Sequence, residues 1–319
     1  MLLGIGTTNA HAAPSVRQMR FGDSTRIGRP FAKDPSAVWF GGRYLMYYSV
    51  PAFADKRGDN AWGIGIAQSK NLVDWEKVAE ISPGAPYEAK GLCAPNAIVL
   101  KGRVHLFYQT YGNGPKDAIC HAVSNDGIHF ERNASNPVFR PHGDWNCGRA
   151  IDAEIIPFGK KLMLYCATRD PEFKVQMLLA ASAPLDSDFG AASWTQAVDA
   201  PILKPELPWE RKCIEAPAVV RHGKKLFMFY AGGYNNEPQQ IGCAESTDGL
   251  TWKRISQEPI LPNGKPGEWN SSESGHPGIL QAPDGSTYLL YQGNNDKGKT
   301  WYLSMVKIVW RQGRPVIKP

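Results

Sequence analysis

Five segments of the sequence repeat one plan at nearly constant spacing, and this internal repeat restricts the fold more than any other feature. Each segment begins with a polar residue near the start of an apolar run, passes through a turn that contains Gly, and ends in an aromatic-rich strand. The segments are KDPSAVWFGGRYLMYYS, APNAIVLKGRVHLFYQT, IDAEIIPFGKKLMLYCA, IEAPAVVRHGKKLFMFYAG and GHPGILQAPDGSTYLLYQG. Their alignment places these residues in register, 56 to 63 positions apart: Asp34, Asn96, Asp152, Glu215 and His276. Self-similarity at a fixed period indicates a repeat architecture.

A second pattern follows the aromatic strands. The stretches AQSKNLVDWEKV, AVSNDGIHFERN and AESTDGLTWKRI each join a small-residue strand to an aromatic-bearing strand through a polar turn, and the third unit is degenerate there. Four short strands per repeat are typical of propeller blades. With 32 Gly and 25 Pro, many tight turns and no long helices are expected. The sequence therefore predicts an all-β, five-bladed β-propeller that forms a single domain over residues 14–319.

Three acids in matched register are the candidate functional residues. The first strand of each propeller blade lines the axis, so Asp34, Asp152 and Glu215 are expected to converge. Taken alone, Asp34 suits a turn and Asp152 suits a backbone cap. Glu215 alone could form a salt bridge with Lys212 or Arg149. Together they favour a function, because like charges crowded at an axis destabilise a fold unless a function or a cation retains them.

The order of these motifs resembles the five-bladed glycoside hydrolases of family 43 and their relatives, including family 117. The shared features are Asp-Pro, Ala-Pro, Ile-Asp, Glu-x-Pro and Gly-His in successive units, across residues 31 to about 310. The resemblance implies that Asp34 is the general base, that Glu215 is the general acid, and that Asp152 orients the acid and tunes its acidity. It also implies that His276 holds a water or a calcium ion near the propeller axis.

Two departures from the family pattern concern the substrate more than the chemistry. Glu215 is followed by Ala216 and Pro217, where family 43 usually has Glu-Gly-Pro. Family 117 members that act on anhydro-galactose use a His in this region as the acid, whereas Ile214 precedes Glu215 here. The resemblance therefore places the chain in a neighbouring branch of these families and leaves the sugar open.

The chemistry of an inverting glycosidase needs two carboxylates with opposite protonation states. One donates a proton to the leaving oxygen, and the other deprotonates a water on the opposite face of the sugar. Glu215 suits the first role if burial and the nearby Asp152 favour its protonated form. Asp34 suits the second role if hydrogen-bond donors keep it ionised.

Sugar recognition requires aromatic faces and planar hydrogen-bond donors around the acids. The predicted substrate-binding residues are Trp62, Asn96, Trp145, Arg149, Arg169 and Trp209. Tryptophans in propellers also pack between blades, so a structural role remains open for each Trp. Arg149, three residues before Asp152, is the best placed to pair with a carboxylate or to bind hydroxyls.

The N-terminal stretch MLLGIGTTNAHAAPSV contains a short apolar patch and an Ala-His-Ala sequence that ends at Ala12, as in the cleavage region of a secretory signal. Residues 1–13 are therefore predicted to be a truncated signal peptide, without a basic n-region, and a periplasmic or secreted location is expected. The six cysteines match no zinc or redox spacing, and most of them are expected to be buried free thiols.

Composition and charge argue against two classes of partner. The sequence contains no run of 18 apolar residues, so no membrane insertion is predicted. The net charge of +6 is spread along the chain rather than clustered, which argues against nucleic acid.

The sequence as a whole predicts a glycosidase. We expect an exo-acting, inverting enzyme that releases a terminal sugar, of the arabinofuranose, xylose or anhydro-galactose type, from a plant or algal polysaccharide or oligosaccharide. No cofactor is expected to be required. Two alternatives stay open: a non-catalytic carbohydrate-binding propeller, which would not need three axial acids, and a glycoside phosphorylase on the same scaffold. A phosphorylase would need a basic pocket near the base, and Lys33 and Arg149 keep that alternative open.

Overall fold

The computed structural model describes residues 18–57 and 60–317, so the predicted signal peptide at residues 1–13 lies outside the described part of the chain. Within that part the chain forms five antiparallel four-stranded sheets, and in each sheet the strands pair in chain order. This arrangement confirms the predicted all-β, five-bladed propeller.

The five blades follow one another along the chain. Blade 1 contains β1 (Lys33–Phe40), β2 (Arg43–Val50), β3 (Gly63–Ser69) and β4 (Glu76–Ile81). Blade 2 contains β5 (Leu92–Leu100), β6 (Arg103–Thr110), β7 (Ile119–Ser124) and β8 (Glu131–Arg132). Blade 3 contains β9 (Ile151–Phe158), β10 (Lys161–Arg169), β11 (Gln176–Pro184) and β12 (Thr195–Gln196).

The last two blades have the same composition. Blade 4 contains β13 (Ile214–His222), β14 (Lys225–Gly232), β15 (Gln240–Ser246) and β16 (Lys253–Arg254). Blade 5 contains β17 (Glu273–Gln281), β18 (Thr287–Asn294), β19 (Tyr302–Arg311) and β20 (Arg314–Ile317). The helical elements of the described residues are short 3₁₀ turns in the connections: Pro86–Glu88, Gly114–Lys116, Ala191–Ser193 and Pro208–Glu210.

The first strands of the blades form a ring around the central axis. β1 contacts β5 and β17, β9 contacts β5 and β13, and β13 contacts β17, so each first strand has two first-strand neighbours. Backbone contacts close the ring between blade 5 and blade 1, because Ala32 N donates to Trp301 O over 3.1 Å and Phe21 pairs with Leu303. Residues at equivalent positions of the five first strands therefore meet at the axis.

The hydrophobic core lies between neighbouring blades rather than at the axis. One buried cluster joins Phe107 of blade 2 to Leu164 and Trp194 of blade 3, and the other four clusters join the remaining pairs of adjacent blades in the same way. Each fully buried Leu or Phe side chain contributes about 1.5–3 kcal/mol. Packing between sheets therefore stabilises the ring and leaves its axis for polar side chains.

All six cysteines are free, and five of them are buried, as predicted. Cys147 is half-buried. Among residues 18–57 and 60–317, no helix is both long enough and apolar enough to cross a membrane.

Candidate active site

The first strand of every blade carries the same irregularity close to its beginning. Pairing with the second strand is interrupted over four residues, from Lys33 to Ser36 in β1 and at the corresponding place in the other first strands. The second residue of each bulge has a positive φ, between 44° and 55°: Asp34, Ala94, Asp152, Ala216 and His276. A left-handed conformation costs a residue with a side chain roughly 1–2 kcal/mol. Such strain concentrates at functional sites, and here it recurs five times around one end of the axis.

Side chains of the preceding blade satisfy the bulged backbone. Four of the five positive-φ residues donate their amide hydrogen to such a side chain. The pairs are Asp34 N to Gln292 Oε1 (3.0 Å), Ala94 N to Ser49 Oγ (2.8 Å), Asp152 N to Gln109 Oε1 (2.7 Å) and His276 N to Gln239 Oε1 (3.1 Å). A bulged amide has no ladder partner, so these bonds replace the missing ones. They also fix each bulge relative to its neighbour.

The bulges correct the register read from the sequence. Asp34, Asp152 and His276 occupy equivalent positions, as predicted. Glu215 lies one residue before this position in its blade, and Asn96 lies two residues after it. The alignment was wrong at these two residues because it followed the first polar residue of each apolar run. The residue that follows the positive-φ residue marks the register better, since it is a proline in four of the five blades: Pro35, Pro95, Pro217 and Pro277.

Asp34 is a buried carboxylate held in its ionised form. Its Oδ1 lies 3.1 Å from His276 Nδ1. Burial acts to raise the pKa of Asp34, but His276 and Lys33 outweigh burial. With a hydrogen bond from the Ser49 hydroxyl, they keep the pKa of this carboxyl below its ordinary value. Asp34 is therefore charged at neutral pH and can accept a proton.

Lys33 occupies in blade 1 the bulge position that Glu215 occupies in blade 4. Burial acts to lower the pKa of Lys33, but the carboxylates of Asp34 and Glu273 outweigh it and hold the pKa above its ordinary value. The ammonium therefore stays charged beside the acids. Its Nζ lies 4.5 Å from the centre of the Trp301 ring, within cation–π range.

An aromatic wall continues from Trp301 along the blade 1 side of the site. Phe31 lies between two tryptophans, with ring centres 6.3 Å from Trp301 and 5.6 Å from Trp62. Trp62 in turn lies 5.1 Å from Tyr111. Because Phe31 is two residues before Lys33, this wall lies on the blade 1 side of the axis, and substrate binding by Trp62 stays a prediction.

Glu215 is oriented by two side-chain amides. Gln239 Nε2 donates to Glu215 Oε1 over 2.7 Å, and Gln176 Nε2 donates to Glu215 Oε2. Gln176 begins β11 of blade 3, and Gln239 precedes β15 of blade 4, so the neighbouring blade and the blade of Glu215 itself together fix the carboxyl group. Only 7% of Glu215 is exposed. Its direction is set by groups distant in sequence.

Asp152 shares the site with Glu215. Burial raises the pKa of Asp152 to about 7, and the charges of Glu215 and Asp34 act in the same direction. His276 and Arg149 oppose this shift without cancelling it. Because a buried carboxyl close to other carboxylates ionises with difficulty, Asp152 retains its proton close to neutral pH. One end of the axis thus holds an ionised Asp34 and a protonated Asp152.

His276 contacts Asp34 rather than a set of metal ligands. Within the described ranges, no group of three or more His, Cys, Asp and Glu side chains is arranged to hold a metal ion. Calcium takes six to eight oxygen ligands. The protein side chains around His276 do not form such a set, so a calcium ion at the axis would take most of its ligands from water.

Two predicted substrate-binding arginines lie on the Glu215 side of the site. Arg149 Nη1 donates to Gln176 Oε1 over 3.3 Å, and Arg169 Nε donates to the same oxygen over 2.8 Å. Arg149 Nη2 also lies 3.6 Å from Asp117 Oδ2. Both guanidinium groups therefore meet the amide that holds Glu215.

Asn96 is not with the acids. Its Nδ2 donates to Glu154 Oε2 over 2.5 Å, and its Oδ1 accepts from Ile155 N over 3.1 Å. Asn96 and Glu154 line a cavity of about 280 Å³ together with apolar residues from further along the first strands, such as Val38 and Val219. This cavity lies beyond the bulges along the axis, so Asn96 belongs to the polar contacts beneath the site rather than to the acidic end.

Trp145 and Trp209 pack between blades rather than beside the acids. Trp145 lies against the core cluster shared by blades 2 and 3. Trp209 stacks on Tyr230 with ring centres 6.0 Å apart, and its Nε1 donates to Gln257 O over 2.9 Å. A Cβ on Gly232 would come within 2.3 Å of the Trp209 ring, so this glycine makes room for it. The contacts of both residues are those of structural tryptophans.

The sequence interpretation missed Gln176, Gln239 and Glu273. Glu273 is fully buried and accepts hydrogen bonds from Asn236 N and Gln292 Nε2. Burial raises the pKa of Glu273 to about 7. No repeated signal marks Gln176 or Gln239, because both lie outside the aligned segments. Gln292 and Gln109, which support Asp34 and Asp152, do carry a repeated signal. Each follows a Tyr near the end of a second strand, in YQG and YQT.

The fold and the site together define a class: five-bladed propellers with a cluster of carboxyl groups at one end of the axis. A family model described as glycosyl hydrolases family 43 matches residues 26–315. The chain therefore belongs to glycoside hydrolase family 43, which confirms the resemblance seen in the motifs.

Three proteins illustrate this relationship. A sucrose-6-phosphate hydrolase of Zymomonas mobilis subsp. mobilis is 33% identical over 108 residues, and the match covers 31% of this chain and about a fifth (21%) of the relative. The crystal structure of a thermostable family-43 glycoside hydrolase has a TM-score of 0.73 at 21% identity, over 90% of this chain and 93% of that chain. An α-L-arabinofuranosidase from Lactobacillus brevis has a TM-score of 0.69 at 18% identity, over 89% and 94%. At these identities the solved structures show a shared fold.

Proposed function

We propose that the protein is an inverting glycoside hydrolase in which Asp34 is the general base and Glu215 is the general acid. Asp152 is the neighbour that shares a proton with Glu215 and positions it. The ring of strained bulges carries this proposal, because it brings an ionised Asp34 to the same end of the axis as Glu215 and the proton-retaining Asp152. Membership in family 43 supports it.

The reaction follows from the two protonation states. The Glu215 carboxyl donates its proton to the glycosidic oxygen as the bond from that oxygen to the anomeric carbon breaks. A water attacks the anomeric carbon from the opposite face and gives its proton to Asp34. The product has the inverted configuration, Glu215 ends ionised and Asp34 ends protonated, and exchange with solvent restores the starting state. No step requires a cofactor.

We further propose exo action on the terminal sugar of a plant or algal polysaccharide or oligosaccharide. The aromatic wall on the blade 1 side, which includes Trp62, offers apolar faces to the sugar ring. Lys33 and Glu273 offer a charged donor and an acceptor to its hydroxyls. Arabinofuranose, xylose and anhydro-galactose are the sugars to be tested. Because such polysaccharides lie outside the cell, a periplasmic or secreted location is part of the proposal.

The proposal is tested by comparing two variants on two substrates. Glu215→Gln removes the donated proton, worth about 10²–10⁴-fold in rate. The loss should be much smaller on an aryl glycoside with an activated leaving group than on a natural glycoside. Asp34→Asn should slow both substrates alike, because water must be deprotonated whichever group leaves. Glu131→Gln, at an exposed position, is the matched control.

Two results would count against these roles. Equal rate losses on both substrates for Glu215→Gln would remove it from the acid role. A lower melting temperature with unchanged turnover per folded molecule would make Glu215 a structural residue.

A second candidate activity, phosphorolysis, is favoured by one observation. Among the described residues, the Lys33 ammonium beside Asp34 has no hydrogen-bond or ion-pair partner, and such a cation could bind phosphate in place of the attacking water. Product analysis in phosphate buffer separates the two activities, because phosphorolysis releases a glycosyl phosphate and hydrolysis releases the free sugar.

A further inference from the structure

Arg169, the last residue of β10, is held rigidly beside the site. Its Nε donates to Gln176 Oε1 over 2.8 Å. Its guanidinium carbon lies 4.2 Å from the centre of the Phe173 ring and 5.2 Å from that of Tyr234. Both rings are within cation–π range of the guanidinium. Phe173 follows β10 and Tyr234 follows β14, so groups from blades 3 and 4 hold Arg169 together.

The outer nitrogens of Arg169 have no partner among residues 18–57 and 60–317. No described carboxylate lies within ion-pair distance of them, and neither nitrogen is sealed from solvent. Four of the five other buried or half-buried arginines of the described residues have carboxylate partners, and Arg43 is the exception: Arg26 with Glu80, Arg132 with Glu88, Arg149 with Asp117, and Arg254 with Glu210. Arg169 is therefore a preorganised cation whose two Nη groups are free of contacts with the described part of the chain.

Few carboxylates lie close to Arg149 and Arg169. Arg149 and Arg169 both donate to one neutral oxygen, Gln176 Oε1, and among the described carboxylates only that of Asp117 lies within 4 Å of either guanidinium. Arg149 Nε is buried and has no described partner. Among the described residues Arg169 therefore has no carboxylate counter-ion of its own, and an anionic ligand would supply one.

The position of Arg169 assigns that ligand to the leaving-group side. Gln176 donates to Glu215 through Nε2 and accepts from Arg169 through Oε1, so one amide joins the arginine to the acid. A general acid contacts the glycosidic oxygen, and the sugar beyond that oxygen must therefore pass close to it. Arg169 lies where that sugar would carry its substituents.

We propose that Arg169 binds the carboxylate of a uronosyl residue on the leaving-group side of the scissile bond. The protein then acts on chains in which the terminal sugar is attached to an acidic sugar. A planar guanidinium with two free Nη groups matches a carboxylate in two parallel hydrogen bonds. This inference deepens the proposed function and rests on it for the direction of the substrate.

The test is equilibrium binding, which does not depend on turnover. Calorimetry at pH 6 and low salt compares galacturonate and glucuronate with galactose and glucose, for the wild type and for Glu215→Gln. We expect the uronates to bind at least tenfold more tightly than the neutral sugars in both proteins. Arg169→Gln should abolish this preference. Arg169→Lys, which keeps the charge but loses the planar fork, should retain part of it, and the exposed Arg311→Gln should retain all of it.

Three results would overturn the proposal. One is equal binding of uronates and neutral sugars by the wild type. Another is a uronate preference that survives in a folded Arg169→Gln variant, which would place the carboxylate elsewhere. The third is Arg169-dependent binding of inorganic phosphate accompanied by release of a glycosyl phosphate, which would make Arg169 a phosphate ligand. Binding by the wild type and by Glu215→Gln is measured without turnover. The uronate proposal can therefore fail while the hydrolase proposal stands, and the reverse is also possible.

Discussion

Glu154 provides a test of the electrostatics at the axis that leaves the catalytic groups intact. It lies two residues beyond Asp152 on β9, is 5% exposed, and accepts hydrogen bonds from Asn96 Nδ2 and from Val219 N. Burial raises the pKa of Glu154 from 4.5 to about 8, although both hydrogen bonds oppose the shift. The folded protein therefore keeps a proton on Glu154 at neutral pH.

The raised pKa sets the sign and size of a pH effect on stability. Below pH 4.5 Glu154 is protonated in both the folded and the unfolded chain. Between pH 4.5 and 8 the unfolded chain loses this proton and the folded chain keeps it, so the free energy of unfolding falls by about 1.4 kcal/mol per pH unit. The total loss approaches about 5 kcal/mol above pH 8. Between pH 5.5 and 7.5 the Glu154 contribution is about 2.7 kcal/mol.

Glu154→Gln should remove this dependence. Urea unfolding at pH 5.5 and 7.5 gives the change in the free energy of unfolding for the wild type and the variant. The variant should lose about 2.7 kcal/mol less than the wild type over this interval. The variant is expected to be less stable than the wild type at pH 5.5, because the introduced Gln places an NH₂ donor opposite the NH₂ donor of Asn96. The test is therefore the difference in pH dependence, to which Asp152 and Glu273 contribute equally in both proteins.

The exposed Glu131→Gln variant controls for the loss of one charge. Turnover per folded molecule should be unchanged in Glu154→Gln, since the residue lies beyond the bulges. Identical pH dependence in the wild type and the Glu154 variant would refute the account of a buried, protonated carboxyl at this position.

Three further predictions address the site and its surroundings. Asp152→Asn should leave the protein folded and lower kcat by about 10²-fold or more; the limb of the pH–rate profile near pH 7 should move, and an unchanged limb would separate Asp152 from the shared proton. Trp209→Ala should lower the free energy of unfolding by about 3–5 kcal/mol with turnover per folded molecule unchanged, whereas a raised KM at unchanged stability would restore its substrate-binding role. Dialysis against a chelator should leave activity unchanged because no cofactor is required, and a loss that calcium restores would place an ion beside His276.

The repeat in the sequence predicted the propeller and the convergence of Asp34, Asp152 and Glu215, because equivalent strands meet at the axis whatever their loops do. The polar residue of each apolar run was a poor guide to register. It placed Asn96 with the acids, although the bulge makes Ala94 the equivalent residue. A one-residue shift reverses the direction of a side chain in a strand, so the position of each bulge decides which side chains reach the site.

The supporting groups could not be read from the repeat. Gln176 begins a third strand and reaches Glu215 from the neighbouring blade 3, whereas Gln239 reaches it from the loop before the third strand of its own blade. Trp209 had the same sequence features as Trp62, an aromatic residue in a loop-like stretch. Trp209 packs on a blade, whereas Trp62 lies in the aromatic wall, and only the tertiary packing distinguishes the two tryptophans.

The configuration of the first-formed product tests the central claim most directly, because attack by a water that Asp34 deprotonates inverts the anomeric centre, whereas direct attack by Asp34 would lead to retention. Once a panel of aryl glycosides and plant and algal oligosaccharides has identified a substrate, proton NMR during the first minutes of hydrolysis reads the anomer before mutarotation. We predict release of the anomer opposite to that of the substrate. Release of the same anomer would contradict the assignment of Asp34 as a general base and would make it a nucleophile instead.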